Sequence, residues 1–170
     1  MRQIQINDTL GAEIISVSDV KNFARIDTNA DDVLIGIMIE SARIYAEGYL
    51  SRDIVPKDRT YYLDYTETGV IDIPFGPVDE VVSVTAKGVN KAFVEYGLGD
   101  KMIDITGPYT DILVNYITTG MNDGLLKQAL LMMVSTYYDN RADFVIGSNV
   151  SNLVPSASTK ILDIYKAPFI

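Results

Sequence analysis

The spacing of apolar and polar residues changes twice along the chain, from helical to alternating near Pro56 and back to helical after Asn122. Residues 1–15 are mixed and read either as an arm or as a first strand. Ser16-Val17-Ser18-Asp19 has the spacing of a capping box: the Ser16 hydroxyl can accept from the amide three residues on, and Asp19 can reach back. Val20, Phe23 and Ala24 follow at helical spacing and predict a short helix ending near Ile26. A second helix is predicted from an Asn29 N-cap, with Asp32 at N3, to Leu50. Its first half (Val33, Leu34, Ile35, Ile37, Met38, Ile39) is apolar almost all round. A helix apolar on every side is covered on every side, by its own chain or by a neighbouring subunit. Its second half, with Glu40, Arg43 and Glu47, reads as amphipathic.

The middle of the chain predicts strands. Tyr61–Tyr65, Val70–Ile73, Val78–Ala86, Ala92–Tyr96, Met102–Thr106 and Thr110–Thr118 are short, rich in β-branched and aromatic residues, and separated by turns bearing Gly, Pro and Asp. Together they predict an antiparallel sheet or small barrel. Asn122 or Asp123 then caps a helix over Leu125–Tyr138, with Leu126, Ala129, Leu130, Met133 and Tyr137 along one stripe. A polar stretch to Asn152 reads as a loop, and a last short helix starts at Pro155, carries Ile161, Leu162 and Tyr165, and is ended by Pro168.

Composition narrows the chemistry. A chain of 170 residues is the size of one domain, and such a chain buries roughly 70% of its unfolded surface without a metal or disulfide staple. There is no Cys, His or Trp. Disulfides, thiolate nucleophiles, Cys-based zinc sites, His-dependent triads and H-E-x-x-H sites are therefore excluded, and a general base would have to be Asp, Glu, Lys or Tyr. The net charge is −9, and Lys and Arg form no cluster. A surface that tracks phosphates needs such a cluster, so a direct grip on nucleic acid or on an anionic membrane is not expected. The start lacks the apolar core of a signal peptide, and the longest apolar stretches, Val33–Ile39 and Ala129–Val134, are far short of the roughly 20 residues of a membrane span. A soluble protein is expected.

Each motif that could carry chemistry has a plainer reading. Asp27-x-Asn29-x-Asp31 matches the opening of an EF-hand loop, but the sixth position is Asp32 where Gly belongs and the twelfth is Met38 where Glu belongs, so an acidic helix cap accounts for it. Gly97-x-Gly99 is a fragment of a dinucleotide fingerprint with Met102 at the third position, and it lies between strands, as a hairpin turn would. Asp79-Glu80 would point to opposite faces of a strand, and Asp31-Asp32 read as solvated charges. Ser158 and Lys160 suggest a Ser–Lys dyad, against which Lys160 more simply decorates a short helix. No catalytic, metal or cofactor site is expected. Tyrosine is abundant, 11 against 5 Phe, and Tyr61-Tyr62 and Tyr137-Tyr138 read equally as interface or as half-buried core aromatics.

The order of segments resembles the tailed-phage head–tail connector family, also called adaptors or head-completion proteins. Ile15-Ser16-Val17-Ser18-Asp19-Val20-Lys21 followed by Phe23-Ala24-Arg25-Ile26-Asp27 is similar to the family's opening S-x-x-E-x-K-x-x-L-R-(I/V)-D. Asp31-Asp32-x-Leu34-Ile35 through Ala42-Arg43-x-Tyr45-Ala46-Glu47 to Arg52 resembles its long second helix, with Leu50-Ser51 where the family has Thr-Gly. Ile73-Pro74-x-Gly76-Pro77-Val78, Leu126–Leu131 running to Tyr138-Asp139-Asn140-Arg141, and Val154-Pro155-Ser156 before Ile161-Leu162 and Tyr165 complete the series.

The resemblance implies an α+β fold: a helical connector module of two N-terminal and two C-terminal helices with an antiparallel β-sheet insertion. Within a single domain 1–170, the helical module is expected over 1–57 and 121–170 and the insertion over 58–120. It implies a structural virion or prophage protein, made in the bacterial host cytoplasm and placed at the head–tail junction, with no enzymatic activity. Partners implied are copies of itself, in a ring of about twelve in the virion that a head-to-tail contact closes and from a chain that can be monomeric in solution, the portal protein, and a tail-side stopper or tail-completion protein. DNA would pass through the channel without sequence-specific binding, and no membrane is implied. Such a ring would carry on the order of a hundred negative charges, which suits a conduit that repels phosphates. Ring contacts are expected at Ile35, Met38, Ile39, Tyr137 and Tyr138. Portal contact is expected at Ile161, Leu162, Tyr165, Pro168 and Phe169, so that deleting 161–170 would leave a folded chain. Two other classes are carried beside this: a cytoplasmic protein-binding module acting as monomer or dimer, and an Asp- or Glu-dependent metal hydrolase.

Overall fold

A computed structural model describes residues 1–140 and 156–166. The fold is α+β, as expected, in two compact units: Met1–Ala12 with Ser51–Met121, and Glu13–Leu50 with Asn122–Ile170. Residues 1–12 and 51–57 belong with the sheet because the chain start pairs as a strand and the next strand opens at Lys57.

The sheet unit holds β1 (Arg2–Thr9), β2 (Lys57–Thr66), β3 (Val70–Asp72), β4 (Val78–Ala86), β5 (Val89–Asn90), β6 (Val94–Gly97), β7 (Lys101–Asp104) and β8 (Tyr109–Thr118). These form a five-stranded sheet in the order β1-β2-β8-β4-β5 and a three-stranded sheet in the order β3-β7-β6, with every pairing antiparallel. The open choice for the chain start resolves as strand β1, which lies on the sheet edge with all its residues exposed. β2 alternates over Lys57–Leu63 and β8 over Ile112–Thr118. Tyr61 and Leu63 of β2 and Ile112, Val114 and Tyr116 of β8 point inward, while Asp58, Thr60, Leu113 and Asn115 point outward. The inward set joins Ile71, Ile73, Val81, Val84 and Ile103 in one apolar core. The Gly97-x-Gly99 segment is the β6–β7 hairpin turn, as read. Gly97 sits at φ +96, and a Cβ there would fall 2.2 Å from the Asp100 carbonyl oxygen, so only glycine fits.

The helical unit holds α1 (Val17–Ala24), α2 (Asp32–Leu50), α3 (Gly124–Asp139) and α4 (Ser156–Asp163). The capping box at α1 forms as its spacing predicts: the Asp19 amide donates to Ser16 Oγ at 3.1 Å, and Asp19 Oδ2 accepts from the Ser16 amide at 2.8 Å. Asp123 caps α3, accepting from the amides of Leu125 and Leu126 at 2.8 and 3.1 Å. Asn29 does not cap α2, which starts at Asp32, because the Asn29 side chain accepts from Lys21 Nζ instead. α2 packs on α3, and α3 on α4 and α1. Their shared interior is made of Val20, Ile35, Ile39, Ala42, Ala46, Leu50, Leu126, Ala129, Leu130, Met133, Val134 and Leu162.

Candidate functional site

In the sheet unit, buried charges gather around Asp53. Asp53 is fully buried and accepts from Arg59 through Nε at 2.7 Å and Nη2 at 2.6 Å, from Lys57 Nζ at 3.1 Å, and from Thr118 Oγ1 at 2.9 Å. The Arg59 guanidinium also lies 4.2 Å from the Phe75 ring centroid. Lys57 and Arg59 continue the inward row of β2, so alternation brings two cations into the interior and Asp53 neutralises them there. Arg52 makes a bidentate pair with the exposed Asp100, at 2.7 and 2.6 Å. Burial pushes the Tyr116 hydroxyl well above its ordinary range, and that hydroxyl donates to the Pro74 carbonyl at 2.8 Å.

The outer face of the three-stranded sheet sets exposed Val70, Val94, Tyr96 and Met102 beside Asp72 and Asp104. Beside the β4–β5 turn lies a groove of about 480 Å³ lined by Tyr65, Lys87, Val89, Lys91, Pro108 and Tyr109, in which Lys91 sits 4.5 Å from the Tyr109 ring centroid.

The helical unit fastens its ends through carboxylates. Arg43 and Glu47, expected on a solvated face, are buried. Arg43 donates to Glu47 Oε2 and to Glu13 Oε1, both at 2.8 Å. Burial alone would lower the guanidinium pKa, and the two carboxylates more than offset it, leaving the value raised. Asp31 accepts from Tyr138 Oη at 2.7 Å, and Asp32 pairs with Lys21 at 2.9 Å, so these acids tie elements together rather than standing as free charges. Asp123 accepts a third bond from Tyr165 Oη at 2.6 Å. Desolvation works against the Asp123 carboxylate, but the bonds from Tyr165 and the two amides prevail and hold its pKa below the ordinary value. The same bond, with some desolvation, pushes Tyr165 up to about 12. Tyr49 donates to Asp163 at 2.5 Å, stacks on Tyr45, and carries Lys166 over its ring at 4.5 Å.

The residues expected at the ring and portal contacts differ in burial. Ile35 and Ile39 are buried within the helical unit, and Met38, Tyr137 and Tyr138 are half-buried. The uncovered apolar row of α2 is instead Val33, Ile37 and Ile44, at 81%, 57% and 55% exposure. Leu162 is fully buried, and Ile161 and Tyr165 are half-buried. Deleting 161–170 would therefore remove a core side chain and would not leave the fold intact. Pro168 and Phe169, with the loop to Asn152 and Pro155, lie outside the described residues. Ser158 is buried while Lys160 is exposed, so they form no dyad. Asp79 and Glu80 are both exposed, Asp79 at a β-bulge. Among the described residues, no three Asp or Glu side chains come together as a metal site, and no helix is long and apolar enough to cross a membrane.

Comparison with known proteins gives one family and one set of folds. A family model described as phage gp6-like head-tail connector protein matches residues 14–106, more than half of the chain. No curated protein matches. Among solved structures, a chain in the neck of an empty GTA particle computed with C6 symmetry superposes with a TM-score of 0.76 at 15% identity, covering 99% of this chain and 97% of that one. A chain in the virion of a native gene transfer agent (GTA) particle gives 0.74 at 13% identity over the same shares. A chain in the neck of a native GTA particle computed with C12 symmetry gives 0.68 at 14%, covering 96% of each.

Proposed function

This chain belongs to the phage gp6-like head-tail connector family, and from that premise we propose that it works as an adaptor: a non-catalytic ring at the head–tail junction of a virion or prophage-derived particle. The ring stands beneath the portal and joins the DNA-filled head to a tail-side stopper or tail-completion protein. The observation that carries this reading is the family match over residues 14–106, which takes in α1, α2 and strands β2 to β7. The end-to-end likeness to neck chains supports it, two of them from particles treated with six-fold and twelve-fold symmetry. The charge of −9 per copy and the lack of a Lys/Arg cluster suit a channel that lets DNA slide through without binding it. The protein is made in the host cytoplasm before it joins the particle. No comparison favours a cytoplasmic binding module, and no cluster of carboxylates favours a metal hydrolase among the described residues.

Portal contact is assigned to the C-terminal end. Leu162 and Tyr165 root this segment in the helical unit, through burial and through the bond to Asp123. Ile164 and the apolar residues that follow Lys166 then provide the contact surface. Truncation after Lys166 removes four residues and leaves Leu162 in place. The truncated protein is expected to fold and to lose co-sedimentation with purified portal. Full-length protein mixed with portal should show annular density by electron microscopy. A mixture without such density would refute the adaptor reading, and a truncated chain that binds portal as well as the full one would remove the C-terminal assignment.

A further inference from the structure

Three residues of the helical unit have no purpose in the isolated fold. Gly36 and Gly48 lie inside α2, where glycine weakens a helix relative to alanine, yet a Cβ at either position would meet nothing within 4 Å. Arg25 takes the left-handed C-cap of α1 at φ 55, a place that glycine or asparagine fills at lower cost. Its side chain is exposed, and among the described residues it has no acidic partner.

Around these positions the surface is apolar. On α2, Val33, Ile37 and Ile44 stand in one row at i, i+4 and i+11, flanked by the two glycines. The only charge in that row is Glu40, which is 62% exposed. The nearest cation, Arg43, is 3.9 Å away and is already held at 2.8 Å by Glu13 and Glu47. Next to Arg25, at the end of α1, Phe23 is exposed. The two surfaces can pair: an apolar row with one anion, and an aromatic with one cation, beyond which stands the exposed Asp27.

We infer that the open row of α2 is the seat for the end of α1 from a second copy of this chain. Phe23 of one copy lies against Val33, Ile37 and Ile44 of the next, Gly36 and Gly48 let the incoming chain approach closely, and the Arg25 guanidinium pairs with Glu40. Each copy carries both the seat and the end that fills it, so the contact is head-to-tail and repeats from copy to copy. This rests on the ring reading above and names the surface through which the ring closes.

Because the chain has no cysteine, R25C/E40C contains its only two thiols. Treated at high concentration with a short bis-maleimide, the full-length double variant is expected to give a ladder at multiples of the chain mass. Mixed R25C and E40C should stop at a dimer, and either single variant should stay monomeric. As a second measure, R25E and E40R should each weaken self-association of the otherwise native chain, and R25E/E40R should recover it. Both positions are exposed, and unchanged thermal melting shows that the variants fold. Absence of the ladder, while an amine-reactive reagent still links wild-type copies, overturns this contact and leaves the ring. Failure of both reagents to link any copies, in the free chain and in chain mixed with purified portal alike, overturns the ring reading and the contact together. Capture of a different protein at this row, with no link between copies, also overturns it.

Discussion

Asp53 answers two buried cations at once, so its removal leaves buried positive charge without its carboxylate. Lys57 and Arg59 are almost without exposure, and three of the four bonds that Asp53 accepts come from them. Breaking such a cluster from one side strands the remaining charge in the interior, which costs about 3–5 kcal/mol. Asp53→Ala is therefore expected to lose that much in urea unfolding, whereas Arg52→Ala, which frees only a surface carboxylate, should lose about 1 kcal/mol or less. A second residue-scale effect is a pH signature. Asp123 has its folded pKa below the ordinary 3.8, so the stability it contributes is present above that value and is lost as pH falls through the folded pKa. Its partner Tyr165 is raised from 10.0 to about 12, so that contribution is complete below pH 10 and is lost as pH rises to about 12. Thermal melting against pH should show a shallower acid limb in Asp123→Asn and a shallower alkaline limb in Tyr165→Phe. Asp123→Ala should also lose the helix cap, costing about 1 kcal/mol at neutral pH.

At the scale of elements, what the sequence discloses depends on how local each determinant is. The capping box of α1 and the Asp123 cap lie within three residues of their partners, and their boundaries were readable to within a residue or two. β2 and β8 were readable as strands from their β-branched and aromatic residues, whereas the face that meets the core is fixed by their pairing. The phase of α2 was not. With apolar side chains on every side, the pattern cannot tell Ile35 and Ile39, which pack inward, from Val33, Ile37 and Ile44, which do not. Packing on α3 settles that phase, and the sequence pattern does not contain it. The Asp53 cluster was hidden for a related reason: Thr118 is 65 residues away, and Lys and Arg in a strand ordinarily mark its solvated side. The two kinds of glycine respond oppositely to the same substitution. Gly36→Ala adds a Cβ to open space in a helix and should stabilise the isolated chain by about 0.5–1 kcal/mol. Gly97→Ala forces a Cβ onto the Asp100 carbonyl at positive φ and should lower the melting temperature sharply. If the seat on α2 is as inferred, Gly36→Ala should also weaken association between copies, a loss that a purely structural role for Gly36 does not produce.

For the whole molecule, the decisive quantity is charge against apolar contact. Each copy brings −9, so every added copy works against like-charge repulsion, while the inferred contact contributes a single ion pair beside its apolar row. Salt screens both, but the repulsion comes from many separated charges and is the larger and longer-ranged effect. The screening length shrinks from about 10 Å at ~0.1 M salt to about 3 Å at ~1 M, and apolar burial is not weakened by that change. Self-association is therefore expected to strengthen as sodium chloride rises from ~0.1 to ~0.5 M, measured by sedimentation velocity on the full-length protein. The same charge balance predicts that duplex DNA is not retained by the protein in a gel-shift assay even at ~50 mM salt, where phosphate contacts would be strongest. Association that weakens with salt would mean that ion pairs, not the row on α2, dominate the contact between copies. Retention of DNA would mean that Lys87, Lys91 and the other scattered cations gather into a surface that a conduit should lack.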